Sequence, residues 1–113
     1  MIYYHNPRCS KSRQGKELLE SKGVDLKIKE YLKEGLSKSE IKDIVSKLDT
    51  DIINLIRVKE NLFKELKLNK DNINKENIVS ILSNNPSLLE RPILLTDKKA
   101  AIGRPPEKLI EII

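Results

Sequence analysis

Cysteine and histidine occur once each, at Cys9 and His5, and tryptophan is missing from the 113-residue chain. A single cysteine excludes an intramolecular disulfide and any zinc site built on several thiolates, and a single histidine excludes a multi-histidine metal site. Aromatic residues make up only 4% of the chain, so it has no stacking platform for bases, and no nucleic-acid partner is expected. No apolar run approaches the roughly 18 residues that would span a bilayer, so no membrane partner is expected either. The N-terminal Met1–His5 has neither the charged n-region nor the apolar h-region of a signal peptide. Together these absences predict a cytoplasmic protein with a reduced thiol.

What is present is enough for one domain and one main core. Leu, Ile and Val supply 35 residues, well above the level of a disordered chain. The net charge of +5 comes from 22 basic residues interleaved with 17 acidic ones, a balance that slightly favours small anions. Lysines number 17 and arginines five, namely Arg8, Arg13, Arg57, Arg91 and Arg104. Lysine supplies the generic surface charge here, which makes each arginine a candidate for a site that needs a planar, multi-donor fork.

Along the chain, Ile2–His5 reads as a short strand stopped by Asn6-Pro7. Ser10–Lys22 reads as a helix with Gly15, Leu18, Leu19 and Lys22 on one face and Gly23 as its left-handed stop. Val24–Lys29 alternates apolar and polar, the period of a half-buried strand, so the opening is β-α-β with parallel strands. The middle is helical. Ser37 and Glu40 have capping-box spacing before Ile41, Ile44, Val45 and Leu48, and Asp49–Asp51, Asn61, Asn74 and Asn85-Pro86 can open further short segments. Pro92–Thr96 and Lys99–Ile102 then form a hairpin, and Pro105-Pro106 starts a last helix carrying Leu109, Ile110 and Ile113 on its buried side. The expected architecture is one α/β domain over 1–113: a small sheet of β-α-β plus β-β-α covered by helices, with a helical insertion over approximately 33–90.

Cys9 falls where the first strand gives way to the first helix. A helix N-terminus concentrates unpaired N–H groups and the positive end of the dipole, which favours a thiolate. Arg8, Lys11 and His5 are close in sequence and are expected to lower the thiol pKa further from about 8.5. The loop Asn6–Arg13 can also hold an anion on its backbone amides, the Ser10 and Ser12 hydroxyls and its basic side chains. Either serine can instead simply cap the helix. Arg91-Pro92 and Arg104-Pro105 flank the hairpin at its two ends, which antiparallel pairing brings close, so both arginines can converge on one site. Arg57 follows an apolar helical stretch, and spacing alone does not fix where it points. Pro92, starting a strand near a thiol, is a candidate for a cis peptide bond. His5 either tunes the thiol or merely ends the strand.

The run His5-Asn6-Pro7-Arg8-Cys9-Ser10-Lys11-Ser12-Arg13 resembles the active-site loop of the glutaredoxin-coupled arsenate reductases. Glu30-Tyr31-Leu32, Leu55-Ile56-Arg57, Glu90-Arg91-Pro92-Ile93 and Ile102-Gly103-Arg104-Pro105-Pro106-Glu107 match the same family in the same order. The resemblance covers essentially the whole chain. It implies a thioredoxin-like β-α-β and β-β-α core with an inserted helical subdomain. It further implies that Cys9 attacks arsenate, that Arg57, Arg91 and Arg104 bind the oxyanion and its arsenite product, and that His5 helps lower the thiol pKa. The resemblance makes Pro92 the family's cis-proline, while Ser10 and Ser12 as substrate contacts and Asn6 as a structural residue of the loop rest on the loop's own chemistry.

Glutathione as co-substrate and glutaredoxin as protein partner follow from the resemblance, in a monomer with no bound metal or organic prosthetic group, serving arsenic detoxification. Reduction of arsenate takes two electrons, which one cysteine cannot supply by closing a disulfide within the chain. Two other readings stand beside this one. A related thiol oxidoreductase would act on another oxyanion or on a glutathione mixed disulfide. An Spx-like regulator would bind the RNA polymerase alpha subunit, but many of those carry Cys-x-x-Cys as a redox switch, where this chain has Ser12 in the second position.

Overall fold

In a computed structural model that describes all 113 residues, the apolar start Ile2–Tyr4 forms strand β1. The chain turns through the Asn6–Cys9 loop into helix α1, Ser10–Ser21. Helix α1 closes as a Schellman motif: the Val24 N–H donates to Leu19 O and the Gly23 N–H to Glu20 O, with Gly23 at φ 75°. Strand β2, Lys27–Lys29, pairs parallel with β1. It is shorter than the alternating stretch from Val24, because the register sets Lys27 against Ile2 and leaves the three residues before it without a partner strand.

Four helices separate β2 from the hairpin: α2 (Tyr31–Glu34), α3 (Lys38–Lys47), α4 (Asn61–Glu65) and α5 (Asn77–Asn84). Short 3-10 turns at Ile52–Leu55, Lys70–Asn72 and Pro86–Leu88 join them. The capping box ahead of α3 is fully formed: Ser37 Oγ accepts the Glu40 N–H and the Glu40 carboxylate accepts the Ser37 N–H, each at 3.1 Å. Asn74 Oδ1 accepts the N–H groups of Glu76 and Asn77 at the start of α5.

Strands β3 (Ile93–Leu95) and β4 (Ala100–Ile102) form the antiparallel hairpin, and the sheet order is β2-β1-β3-β4. A parallel β-α-β unit joined through β1 to an antiparallel hairpin and a terminal helix is the thioredoxin-like arrangement.

Strands β1, β3 and β4 are apolar throughout because both faces of the sheet are covered there, whereas β2, at the edge, is Lys27-Ile28-Lys29. Tyr4, Ile93 and Leu95 face the helical insert, where Ile41, Ile44, Leu55, Ile78, Leu82, Leu88 and Leu89 complete the larger core. Tyr3 and Leu94 face the other way, onto Leu19 of α1 and Leu109 of the terminal helix. On that side backbone approaches closely. A Cβ on Gly15 would overlap the Tyr3 hydroxyl and lie 3.0 Å from Leu109 and 3.2 Å from Pro92, so only glycine lets α1 settle there.

The terminal helix, Pro106–Ile112, is a 3-10 helix, and this changes its buried face. Sequence periodicity of 3.6 picks out Leu109, Ile110 and Ile113, but a three-residue turn stacks positions three apart. Pro106 and Leu109 are buried and Ile112 packs beside them, while Ile113 is 44% exposed. No helix of the chain is long and apolar enough to cross a membrane.

Candidate active site

The Cys9 loop is built from its own short-range hydrogen bonds. Asn6 O accepts the Cys9 N–H at 3.0 Å and Asn6 Oδ1 accepts the Arg8 N–H at 3.1 Å, which closes a tight turn over Pro7. Arg13 Nη1 donates to Pro7 O at 2.8 Å and braces the loop from the helix side. Cys9 itself is the N-cap of α1, with extended φ and ψ of −95° and 123°, and its carbonyl accepts the Arg13 N–H. Neither serine caps the helix.

Ser12 and His5 lie differently from the sequence expectation. The Ser12 hydroxyl is fully buried, 2.7 Å from His5 Nδ1, and accepts the Asn6 N–H at 3.0 Å. Its side chain therefore fastens the end of β1 to α1 instead of facing a substrate, and only its backbone N–H points to the thiol. Ser10 is exposed at the first turn of α1, and its hydroxyl has no partner in the chain. His5 is buried, and that burial, with the Lys16 charge second, lowers its pKa below the ordinary 6.5. A neutral imidazole cannot act on Cys9 as a positive charge, so His5 reaches the thiol through Ser12 alone.

Cys9 is partly buried, and burial by itself would raise its pKa. The Ser12 N–H, the Arg91 charge, the Lys11 N–H and a hydrogen bond from Arg91 outweigh this and hold the thiol below its ordinary 9.0. Lys11 thus contributes its amide, and the adjacent Arg8 side chain points to solvent and takes no part. Arg104 completes the setting, with Nη2 3.7 Å from Cys9 Sγ.

The alkylation rate of Cys9 is accordingly expected to fall with a single inflection below pH 9.0 as the solution is acidified. His5→Gln should leave that inflection nearly unmoved, whereas an imidazolium acting on the thiol would make it rise. Because the folded-state pKa is depressed, the thiolate's contribution to stability is fully present above 9.0 and lost as pH falls through the folded value. The stability difference between the wild type and Cys9→Ser should therefore grow with pH.

Three separate segments bring arginines together. The segment after the first 3-10 turn is sewn to the stretch leading into β3 by an isolated antiparallel bridge between Ile56 and Leu89. The flanking Arg57 N–H donates to Leu88 O at 2.8 Å and the Glu90 N–H to Leu55 O at 2.7 Å. At the other end of the hairpin, the Gly103 N–H donates to Pro92 O at 2.8 Å and Arg104 Nε to Arg91 O at 2.9 Å. Arg57, Arg91 and Arg104 consequently line one open cleft of about 380 Å³, together with Lys59, Glu60 and Glu90. The peptide bonds Arg91–Pro92 and Arg104–Pro105 are both cis, the second unannounced by the sequence reading.

The arginines are not bare. Arg57 Nη1 lies 2.5 Å from Glu60 Oε1 and 3.4 Å from Ser87 O, and makes no hydrogen bond to Cys9. Arg104 Nε lies 3.0 Å from Glu90 Oε1, and Arg91 Nη1 lies 3.7 Å from the same oxygen. The buried Arg91 Nε has no partner within the chain. Glu60 and Glu90 are site residues with no signal of their own in the sequence, Glu90 standing within the Glu90-Arg91-Pro92 motif. Tyr31, within Glu30-Tyr31-Leu32, belongs with them. Its phenol, pushed up to about 12 mainly by burial, also feels the charges of Arg91, Arg57 and Cys9. No three His, Cys, Asp or Glu side chains gather closely enough to hold a metal ion.

Comparison with known proteins places this geometry. The chain is 41% identical over 111 residues to an arsenate reductase of Neisseria meningitidis serogroup A, covering 97% of this chain and 95% of that one. It is 40% identical over 114 residues to an arsenate reductase of Haemophilus influenzae, covering 100% and 98%. A solved arsenate reductase from Vibrio cholerae superposes with a TM-score of 0.91 at 36% identity, covering 99% of this chain and 96% of the other. The model of the ArsC family matches residues 4–112, which takes in the Cys9 loop, the insert that carries Arg57 and the hairpin that carries Arg91 and Arg104. The chain belongs to the ArsC family.

Proposed function

We propose that the protein is an arsenate reductase in which Cys9 is the nucleophile. The observation that carries the reading is the convergence of Arg57, Arg91 and Arg104, from three distant segments, on a cleft whose Arg91–Arg104 side touches a thiol with a lowered pKa. A tetrahedral oxyanion in that cleft has planar donors on several sides. The Cys9 thiolate attacks arsenic, a sulfur–arsenic bond forms, and one oxygen leaves as water after protonation. The arginines offset the charge that builds on the remaining oxygens.

Cys9 is the only thiol in the chain, so the second electron-donating sulfur comes from outside. In this reading glutathione attacks the Cys9 sulfur of the adduct. A sulfur–sulfur bond forms, the sulfur–arsenic bond breaks with its electron pair left on arsenic, and arsenite departs. Two thiols have been oxidised to one disulfide while As(V) has become As(III), and glutaredoxin then reduces the Cys9–glutathione disulfide. Similarity to proteins named arsenate reductase supports the substrate, and the lone thiol supports an external donor.

Arsenate-dependent oxidation of NADPH, coupled through glutathione, glutaredoxin and glutathione reductase, tests both parts. Turnover is expected with the wild type and none with Cys9→Ala. Turnover with arsenate but with thioredoxin in place of glutaredoxin would change the donor and keep the substrate. No turnover with arsenate, combined with exchange on a glutathione mixed disulfide, would move the assignment to the related oxidoreductase.

A further inference from the structure

We propose that Glu90 is the positioning residue that aligns Arg91 and Arg104 on the Cys9 thiol. One oxygen, Glu90 Oε1, engages both arginines: it accepts the Arg91 backbone N–H at 3.2 Å and forms ion pairs with Arg104 Nε at 3.0 Å and Arg91 Nη1 at 3.7 Å. The carboxylate is itself held in place, because the Glu90 N–H is tied to Leu55 O at 2.7 Å, one residue beyond the Ile56–Leu89 bridge. Its side chain is 23% exposed and forms, with Arg104, the wall between the arginine cleft and a neighbouring groove.

A guanidinium is a rigid plane, so fixing one edge decides where the other points. The single Nε–H of Arg104 donates to Arg91 O at 2.9 Å, Glu90 Oε1 pairs with the same edge at 3.0 Å, and Nη2 is thereby turned to Cys9 Sγ at 3.7 Å. Without that acceptor the exposed Arg104 side chain has only one backbone oxygen to hold it, and its rotamer freedom returns.

The charge and the geometry of Glu90 act on the thiol with opposite signs, which makes the proposal separable from a purely electrostatic role. As a negative charge, Glu90 disfavours the thiolate. As an anchor for two cations, it favours it. Glu90→Gln keeps an acceptor oxygen and removes the charge, so alkylation of Cys9 is expected at the same or lower pH than in the wild type. Glu90→Asp keeps the charge and withdraws the acceptor by one methylene, so alkylation is expected at higher pH, and Glu90→Ala should shift it furthest.

The same order is expected for oxyanion binding. The KM for arsenate should rise about tenfold or more in Glu90→Asp and Glu90→Ala, with Glu90→Gln near wild type. This kinetic half rests on the arsenate reading, whereas the alkylation profile needs no substrate and stands if that reading fails. The Gln and Asp pair decides the matter even if the alanine variant fails to fold. Wild-type alkylation pH in Glu90→Asp, or a Glu90→Gln variant shifted upward like Glu90→Ala, would overturn the proposal.

Discussion

Arg104→Lys is expected to lower kcat/KM for arsenate about a hundredfold and to move Cys9 alkylation to higher pH. The physical reason is a count of donors. Arg104 gives its Nε–H to the Arg91 carbonyl with the Glu90 carboxylate paired on the same edge, while Nη2 still reaches Cys9 Sγ, so two edges of one plane serve three partners. A lysine has the same charge on one nitrogen at the end of a flexible stem, and it cannot hold the carboxylate and face the thiol together. The loss should fall on transition-state charge as well as on binding, because a donor 3.7 Å from Sγ is placed to meet the oxygens of an adduct on that sulfur. Removing a single preorganised donor to developing oxyanion charge costs about 100- to 1000-fold in other enzymes, and retention of charge puts this variant at the lower end. Arg8→Lys is the matched control. Arg8 carries the same charge next to Cys9 in sequence, but its side chain is exposed and makes no hydrogen bond, so its kinetics and alkylation profile should stay near wild type. Equal losses in both variants would show that net charge near the loop, and not the Arg104 fork, governs the thiol.

That contrast between Arg8 and Arg104 also marks how far the site can be read from sequence. The β-α-β opening, the hairpin and the place of Cys9 follow from local signals: an apolar run, a helix stop at Gly23, a break at Asn6-Pro7. The approach of Arg91 to Arg104 follows too, because antiparallel pairing alone brings the two ends of a hairpin together. Arg57 is different. It reaches the cleft through the Ile56–Leu89 bridge, a pairing of two single residues more than thirty positions apart that no periodicity announces. Glu60 and Glu90 are hidden for another reason: as side chains they are indistinguishable from the other acidic residues until the arginines they hold are located. The chemistry of His5 and Ser12 is legible in the sequence, whereas burial decides what that chemistry can do. A buried imidazole stays neutral, and a hydroxyl bonded to it and to Asn6 has nothing left to offer a substrate. The terminal helix shows the same limit in the backbone, since a 3.6-residue count cannot anticipate a three-residue turn.

The dependence of the site on that one bridge makes Leu89→Ala the variant with the largest expected effect on stability and function together. Leu89 is fully buried in the larger core, opposite Ile56, and each of these residues has a site side chain next to it in sequence, Glu90 after Leu89 and Arg57 after Ile56. Truncating a buried leucine costs about 2–5 kcal/mol through lost transfer energy and the cavity left behind. Against a typical total of about 5–15 kcal/mol, the urea midpoint should fall substantially. Leu82→Ala, equally buried on α5 in the same core, should cost a similar amount. The two should part at the site. Leu82 takes no part in the bridge pairing, so its truncation should leave the KM for arsenate near wild type at a temperature where the variant is folded. Leu89→Ala loosens the segment that fixes Glu90 and faces Arg57, and its KM should rise by about tenfold or more under the same conditions. Parallel urea titrations and coupled assays on the two variants separate a core that only holds the fold together from one that also sets the distance between the arginines. If both variants kept wild-type KM, the arginines would be aligned by their own ion pairs with Glu60 and Glu90 and not by the packing beneath them.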